Sequence, residues 1–180
     1  SRSGSTLVNK VLSYIFTPTP NAGHNFVDTE KSLVITYRDF RAMSVSYWRC
    51  FYGKYNEQGK LINPPTAKEL IGAAKGIKKQ IDVLNRFKEH YKDRTNVLWL
   101  QYEKFFMNYD YLFGQIREFF GVVLSNEHKN IVMDKTELAT AKLIQKRMES
   151  EVPKFGHYDK ESLIHSRHIY STGLDSWKDI

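Results

Sequence analysis

The chain has few of the features that mark disulfide-bonded or membrane-spanning proteins. Its 180 residues include a single cysteine, Cys50, so no internal disulfide can form. No stretch approaches the roughly 18 apolar residues that a membrane-spanning helix needs, and no secretory leader is visible in the sequence. One cysteine is compatible with a reducing compartment, and we favour the cytoplasm.

Acidic residues are fewer than basic ones. The 27 lysines and arginines outnumber the 20 aspartates and glutamates, which gives a formal net charge of +7. Two interpretations stay open: a well-solvated basic surface, or an anionic partner such as a nucleotide, a glycan or nucleic acid. The hydrophobic fraction of 41% is enough for a real core, and the length suits one domain over residues 1–180.

Short apolar runs alternate with helical patterns along the chain. SLVITY (32–37) and NVLWLQY (96–102) are typical of buried parallel strands. Helices are predicted from Ser5, after the N-cap Asp39, after the capping box of Thr66 and Glu69, and over 110–121 and 126–150. The buried stripe of the long third helix is predicted to contain Leu70, Ala74, Ile77, Ile81 and Leu84. This alternation predicts an α/β domain with a parallel sheet, in which ligands bind beyond the carboxyl ends of the strands.

The chain opens with SRSGSTL, a basic, hydroxyl-rich loop that leads into the first helix. Gly4 lets the backbone approach a ligand, amides at a helix start favour an anion, and Arg2 can fork onto phosphate or sulfate oxygens. The alternative is an ordinary helix start with a solvated arginine. A nucleoside-triphosphate loop is disfavoured, because the signature G-x-x-x-x-G-K-[ST] requires a second glycine and a lysine that this loop lacks.

ITYRDFRAMSVSYWR (35–49) forms a second strand-to-helix junction. Arg38 follows the strand, and Ser46 comes eight residues later, on a helical face shared with Ala42 and Arg49. A guanidinium and a hydroxyl at this edge of a sheet suit a second phosphate. The alternative is that Arg38 pairs with a carboxylate and that Ser46 is an ordinary helix residue.

Together, the two junctions resemble motifs of the sulfotransferase family that uses 3′-phosphoadenosine 5′-phosphosulfate (PAPS). SRSGSTL resembles the 5′-phosphosulfate loop, and YRDFRAMSVSYWR resembles the 3′-phosphate motif with its arginine and, eight residues on, its serine. NVLWLQYEKFF (96–106) and SRHIYSTGLDSWK (166–178) resemble a strand segment and the closing C-terminal loop of that family. The resemblance implies a P-loop NTPase-like sulfotransferase fold, with three layers and a central parallel sheet flanked by helices. A phosphate loop normally follows a buried strand, so we expect the first strand upstream of Ser1.

The resemblance also implies which residues bind PAPS and release its product, adenosine 3′,5′-bisphosphate (PAP). The implied nucleotide-binding residues are Arg2, Ser3, Gly4, Ser5, Thr6, Leu7, Arg38, Ser46, Arg167 and His168. Arg2 is in addition expected to be catalytic, because it can neutralise charge on the leaving 5′-phosphate.

The reaction requires a base that takes a proton from the acceptor. AGHNF (22–26) resembles the family segment that supplies this base, which makes His24 the catalytic candidate. Asp28 and Glu30 are alternatives, because some related enzymes use a carboxylate. The expected acceptor is a hydroxyl or amine of a glycan or small molecule, with no metal and no nucleic acid involved.

Two other classes of function stay open. A nucleotide kinase would need a P-loop lysine and a magnesium-binding carboxylate, and neither is evident in the motifs. A non-enzymatic domain that binds nucleic acid or another polyanion would follow from the net charge of +7 alone.

Overall fold

The computed structural model describes residues 4–54 and 62–151 and two short strands at 158–159 and 164–165. The elements in chain order are α1 (Ser5–Ile15), β1 (Leu33–Tyr37), α2 (Phe40–Phe51), α3 (Ala67–Tyr91), β2 (Val97–Gln101), α4 (Tyr102–Phe105), α5 (Tyr109–Phe120), α6 (Asn126–Thr136), α7 (Leu138–Glu151), β3 (Tyr158–Asp159) and β4 (Ile164–His165).

The two predicted strands pair in parallel. Their register runs from Leu33 opposite Val97 to Tyr37 opposite Gln101, so both strands begin and end together. The connection between them contains α2 and α3, as a parallel crossover requires. The prediction of helices combined with a parallel sheet is therefore confirmed, with two strands in this sheet within the described residues.

Helices pack on both faces of this small sheet because side chains alternate along each strand. On one face, Leu98 and Leu100 of β2 belong to a buried cluster that also includes the following residues of α1, α5 and α6: Val8, Val11, Leu12, Leu112, Phe113, Ile116 and Val132. On the other face, Ile35 and Val97 pack with Tyr91 at the end of α3. The residues that directly follow β1 and β2 are thereby held in place by a packed core.

The ends of the helices follow the predicted local signals. The carboxylate of Asp39 accepts a hydrogen bond from the backbone N–H of Arg41 at 2.8 Å, at the start of α2. Thr66 and Glu69 form the predicted capping box at the start of α3. Gly121 ends α5 in the left-handed conformation, with φ of 70°. Each of these predictions is confirmed.

The first half of α3 lies along α2. Trp48 of α2 is fully buried, and its indole N–H donates a hydrogen bond to Glu69 at 3.3 Å. Further along, the ring of Tyr47 covers Gly76, where an added Cβ would lie 2.5 Å from the ring. This packing fixes α2, and with it the junction between β1 and α2.

Candidate functional site

The register of the sheet brings the residues that follow β1 and β2 side by side. Because Tyr37 lies opposite Gln101, the first residues beyond the strands, Arg38 and Tyr102, are neighbours at the carboxyl edge. The guanidinium carbon of Arg38 lies 4.3 Å from the centre of the Tyr102 ring, within the range of a cation–π interaction. The Arg38 side chain is only 12% exposed, so this contact is largely shielded from solvent.

Gly4, which directly precedes α1, packs against the same Tyr102 ring. A Cβ added to Gly4 would lie 2.5 Å from Cδ2 of Tyr102 and 2.8 Å from Cζ of Phe105, so the backbone itself contacts the rings. Gly4 has φ of 78°, a conformation that side-chain-bearing residues rarely adopt. The Tyr102 ring therefore links the predicted phosphosulfate loop to the predicted 3′-phosphate site.

The start of α1 is suited to an anion. Ser5, Thr6 and Leu7 form its first turn, and their amides have no acceptor inside the helix. Gly4 is the N-cap and has no side chain that could accept a hydrogen bond from these amides. The first turn, described in full, contains no acidic residue. The partial positive charge at this helix end is thus not offset within its own first turn.

Glu103 is the carboxylate beside Arg38. Its Oε1 accepts a hydrogen bond from the backbone N–H of Asp39 at 3.1 Å and lies 3.9 Å from Nε of Arg38. That second distance allows charge attraction but is too long for a hydrogen bond. The structure therefore supplies the carboxylate that the alternative interpretation of Arg38 required, although only at the outer limit of an ion pair.

The residues around Arg38 keep defined protonation states. Burial raises the pKa of Tyr102 to about 12, although the nearby Arg38 charge lowers it in part. Tyr102 is therefore a neutral phenol at physiological pH, and its ring stays a good partner for a cation. The side-chain hydrogen bond from Arg41 lowers the pKa of Asp39, which keeps this N-cap ionised.

Ser46 lies half-buried on α2, about 9 Å along the helix axis from Phe40. Within the described residues its hydroxyl makes no hydrogen bond, whereas the neighbouring Ser44 donates one to the carbonyl of Phe40 at 2.9 Å. Ala42, which precedes Ser46 by one helical turn, is buried. Ser46 therefore has a hydroxyl that can still serve a ligand, as its prediction requires.

The candidate bases lie in the segment that precedes β1. Asp28 contacts Nε2 of His90 at 2.8 Å, and Glu30 accepts a hydrogen bond from Arg94 at 2.9 Å. Both partners lie just before β2, so these carboxylates sit at the amino edge of the sheet, about 16 Å of strand away from Arg38. His24 is exposed in the loop between α1 and β1, and its role as base stays a prediction.

Four of the predicted site residues lie outside the described residues: Arg2, Ser3, Arg167 and His168. Conversely, Tyr102 and Glu103 were recognised in sequence only as part of a strand segment, with no role assigned. The signal that could have found them is their position, because polar residues directly after a parallel strand face the ligand crevice.

The described part of the chain contains no cluster of three or more potential metal ligands. None of its helices has the length and apolar character needed to cross a membrane. No protein-family model, no curated protein and no solved structure matches this chain.

Proposed function

We propose that this protein is a sulfotransferase that moves the sulfuryl group of PAPS to a hydroxyl or amine acceptor. One observation carries the proposal: the helix start after Gly4 and the guanidinium of Arg38 meet on one ring, that of Tyr102. A helix start that favours an anion and a guanidinium beside the same ring suit a ligand with an anionic group at each of two positions. The three-layer sulfotransferase fold belongs to this proposal, and helices on both faces of the sheet support it.

The residues present fit the chemical groups of PAPS. The amides of Ser5, Thr6 and Leu7, together with Arg2 and Ser3, would hold the 5′-phosphosulfate. Arg38 and Ser46 would hold the 3′-phosphate, with Arg167 and His168 as further candidates. When bound, PAPS supplies an activated sulfuryl group whose bond to the 5′-phosphate breaks as the acceptor atom bonds to sulfur.

The protein's own part in the reaction is positioning and charge neutralisation. Donors at the helix start and Arg2 would stabilise the negative charge that grows on the 5′-phosphate oxygen as it leaves. Close contact of Gly4 with the rings of Tyr102 and Phe105 would keep the donors at the start of α1 aligned. His24 would receive the proton from the acceptor, which is a hydroxyl or amine of a glycan or small molecule.

A polyanion-binding domain is the second candidate, favoured by the net charge of +7 and by exposed lysines on α3 such as Lys75 and Lys79. The two candidates differ in what they bind. A nucleotide site should distinguish PAP from other anions by its geometry, whereas a basic surface should bind polyanions with a steep dependence on salt.

Calorimetric titration of the full-length protein with PAP tests the proposal. We expect saturable binding of PAP, weaker binding of AMP, and transfer of labelled sulfate from PAPS to at least one class in a panel of glycans, alcohols, phenols and amines. Absence of PAP binding would remove the proposal. Binding of heparin or DNA that is steeply salt-dependent and indifferent to PAP would favour the second candidate.

His24→Ala is expected to lower turnover about 10²- to 10⁴-fold, the usual contribution of a general base, with little change in PAP affinity. The rates of sulfate transfer and the calorimetric PAP affinity are measured on the same preparation. Asp28→Asn tests the alternative base in parallel; we expect it to retain turnover, because the contact of Asp28 with His90 lies at the amino edge of the sheet. Unchanged turnover in His24→Ala would move the base to another residue.

A further inference from the structure

We infer that Glu103 is a positioning residue that orients Arg38 toward the 3′-phosphate of the nucleotide, an inference that rests on the proposed function. Glu103 is not expected to touch the nucleotide itself. Its effect would pass through two neighbours, the backbone of Asp39 and the guanidinium of Arg38.

The first contact fixes the chain next to Arg38. Oε1 of Glu103 accepts the N–H of Asp39 at 3.1 Å, so the peptide that follows Arg38 is tied to the start of α4. Asp39 is also the N-cap of α2, which carries Ser46. One carboxylate oxygen thus holds the point from which both predicted 3′-phosphate residues extend.

The second contact acts on the guanidinium. Tyr102 supports Arg38 at 4.3 Å from the ring centre, while Glu103 attracts Nε from 3.9 Å. Adjacent residues of the same short helix therefore restrain one side chain in two ways. A long flexible side chain that is restrained before binding loses less entropy when it grips a phosphate.

The environment of one oxygen of Glu103 indicates that its position is specific, although the side chain as a whole is 27% exposed. Its Oε2 is covered from solvent and accepts no hydrogen bond within the described part of the chain. Such an arrangement is unfavourable for stability, since buried carboxylate oxygens are normally paired. The neighbouring guanidinium of Arg38 offsets part of this cost. We therefore attribute the placement of Glu103 to its interaction with Arg38 and not to a gain in the stability of the fold.

The test compares PAP with AMP, which lacks the 3′-phosphate, on the full-length protein. We expect Glu103→Gln to weaken PAP binding about tenfold, the lower end of the range seen when hydrogen-bond partners of metal-ligating side chains are removed. AMP binding should stay unchanged, which also reports that the variant is folded. Glu118→Gln is the matched control, because it removes the same charge from the exposed side of α5.

A second arm uses Arg38. If Glu103 acts through Arg38, the double variant Arg38→Ala/Glu103→Gln should bind PAP no more weakly than Arg38→Ala alone. Equal losses for PAP and AMP in Glu103→Gln, unchanged PAP binding, or tighter PAP binding would each overturn the inference; the last would mean that Glu103 competes with the phosphate for Arg38. If the wild-type protein binds no PAP, the proposed function on which the inference rests is wrong.

Discussion

Gly4→Ala is expected to lower the free energy of unfolding by about 2–5 kcal/mol and to weaken PAP binding in parallel. Part of this loss is backbone strain, since a φ of 78° costs an alanine about 1–2 kcal/mol. The rest is overpacking of about 1–3 kcal/mol, because the new Cβ would lie 2.5 Å from Cδ2 of Tyr102. The ring cannot easily move aside, since it is stacked against Phe106 at 4.9 Å on one side and lies beside Arg38.

Gly121→Ala separates the two parts of this loss. Gly121 has a similar φ of 70°, but among the described residues no heavy atom beyond its chain neighbours lies within 4 Å of the Cβ that would be added. Only the strain of about 1–2 kcal/mol should then appear in urea denaturation curves. Equal losses in the two variants would show that Gly4 does not pack tightly on Tyr102, and that this ring does not connect the start of α1 to Arg38.

The elements of the fold that depend on local signals could be predicted from the sequence. Both strands were found as apolar runs, and the helix starts at Asp39 and Thr66 followed from side chains that satisfy neighbouring backbone N–H groups. The end of α5 followed from Gly121, which tolerates a positive φ. In each case the determining contact lies within a few residues.

Features that depend on tertiary packing were harder to predict. Ala74 was predicted in the buried stripe of α3 but is exposed, whereas Ala73 is fully buried. The cause is that α3 packs first on α2 and only later on the sheet, so its buried face is not one straight stripe. The predicted helix over 126–150 is divided near Glu137, where the backbone is extended. No proline or glycine in the sequence indicates this break.

In the candidate site, too, local features could be predicted and features that depend on tertiary packing could not. Gly4 and Arg38 could be singled out because each lies at a junction with recognisable chemistry. That they share the Tyr102 ring depends on the parallel register, in which Tyr37 faces Gln101, and no local pattern specifies that register. Glu103 had no signal beyond its place after the second strand, since its contacts are with residues more than sixty positions away.

Arg38→Ala is expected to weaken PAP binding about 10- to 150-fold, because a hydrogen bond from a charged donor to a charged acceptor contributes about 1.5–3 kcal/mol. The value of kcat/KM for sulfate transfer should fall at least as far. AMP binding should change much less, since AMP has no 3′-phosphate for Arg38 to hold. Arg38→Lys should recover only part of the affinity, because an ammonium neither forks onto a phosphate nor stacks flat on Tyr102.

Arg41→Ala is the matched control for Arg38→Ala. Both changes remove one positive charge within the same four residues, but the side chain of Arg41 is 56% exposed and pairs with Asp39 at 2.6 Å. A site that recognises the geometry of a nucleotide should therefore respond to Arg38 and scarcely to Arg41. Equal, salt-sensitive losses of PAP affinity in the two variants would mean that only the overall positive charge attracts PAP. Arg38 would then interact with Glu103 and stabilise the fold, and it would not bind a phosphate.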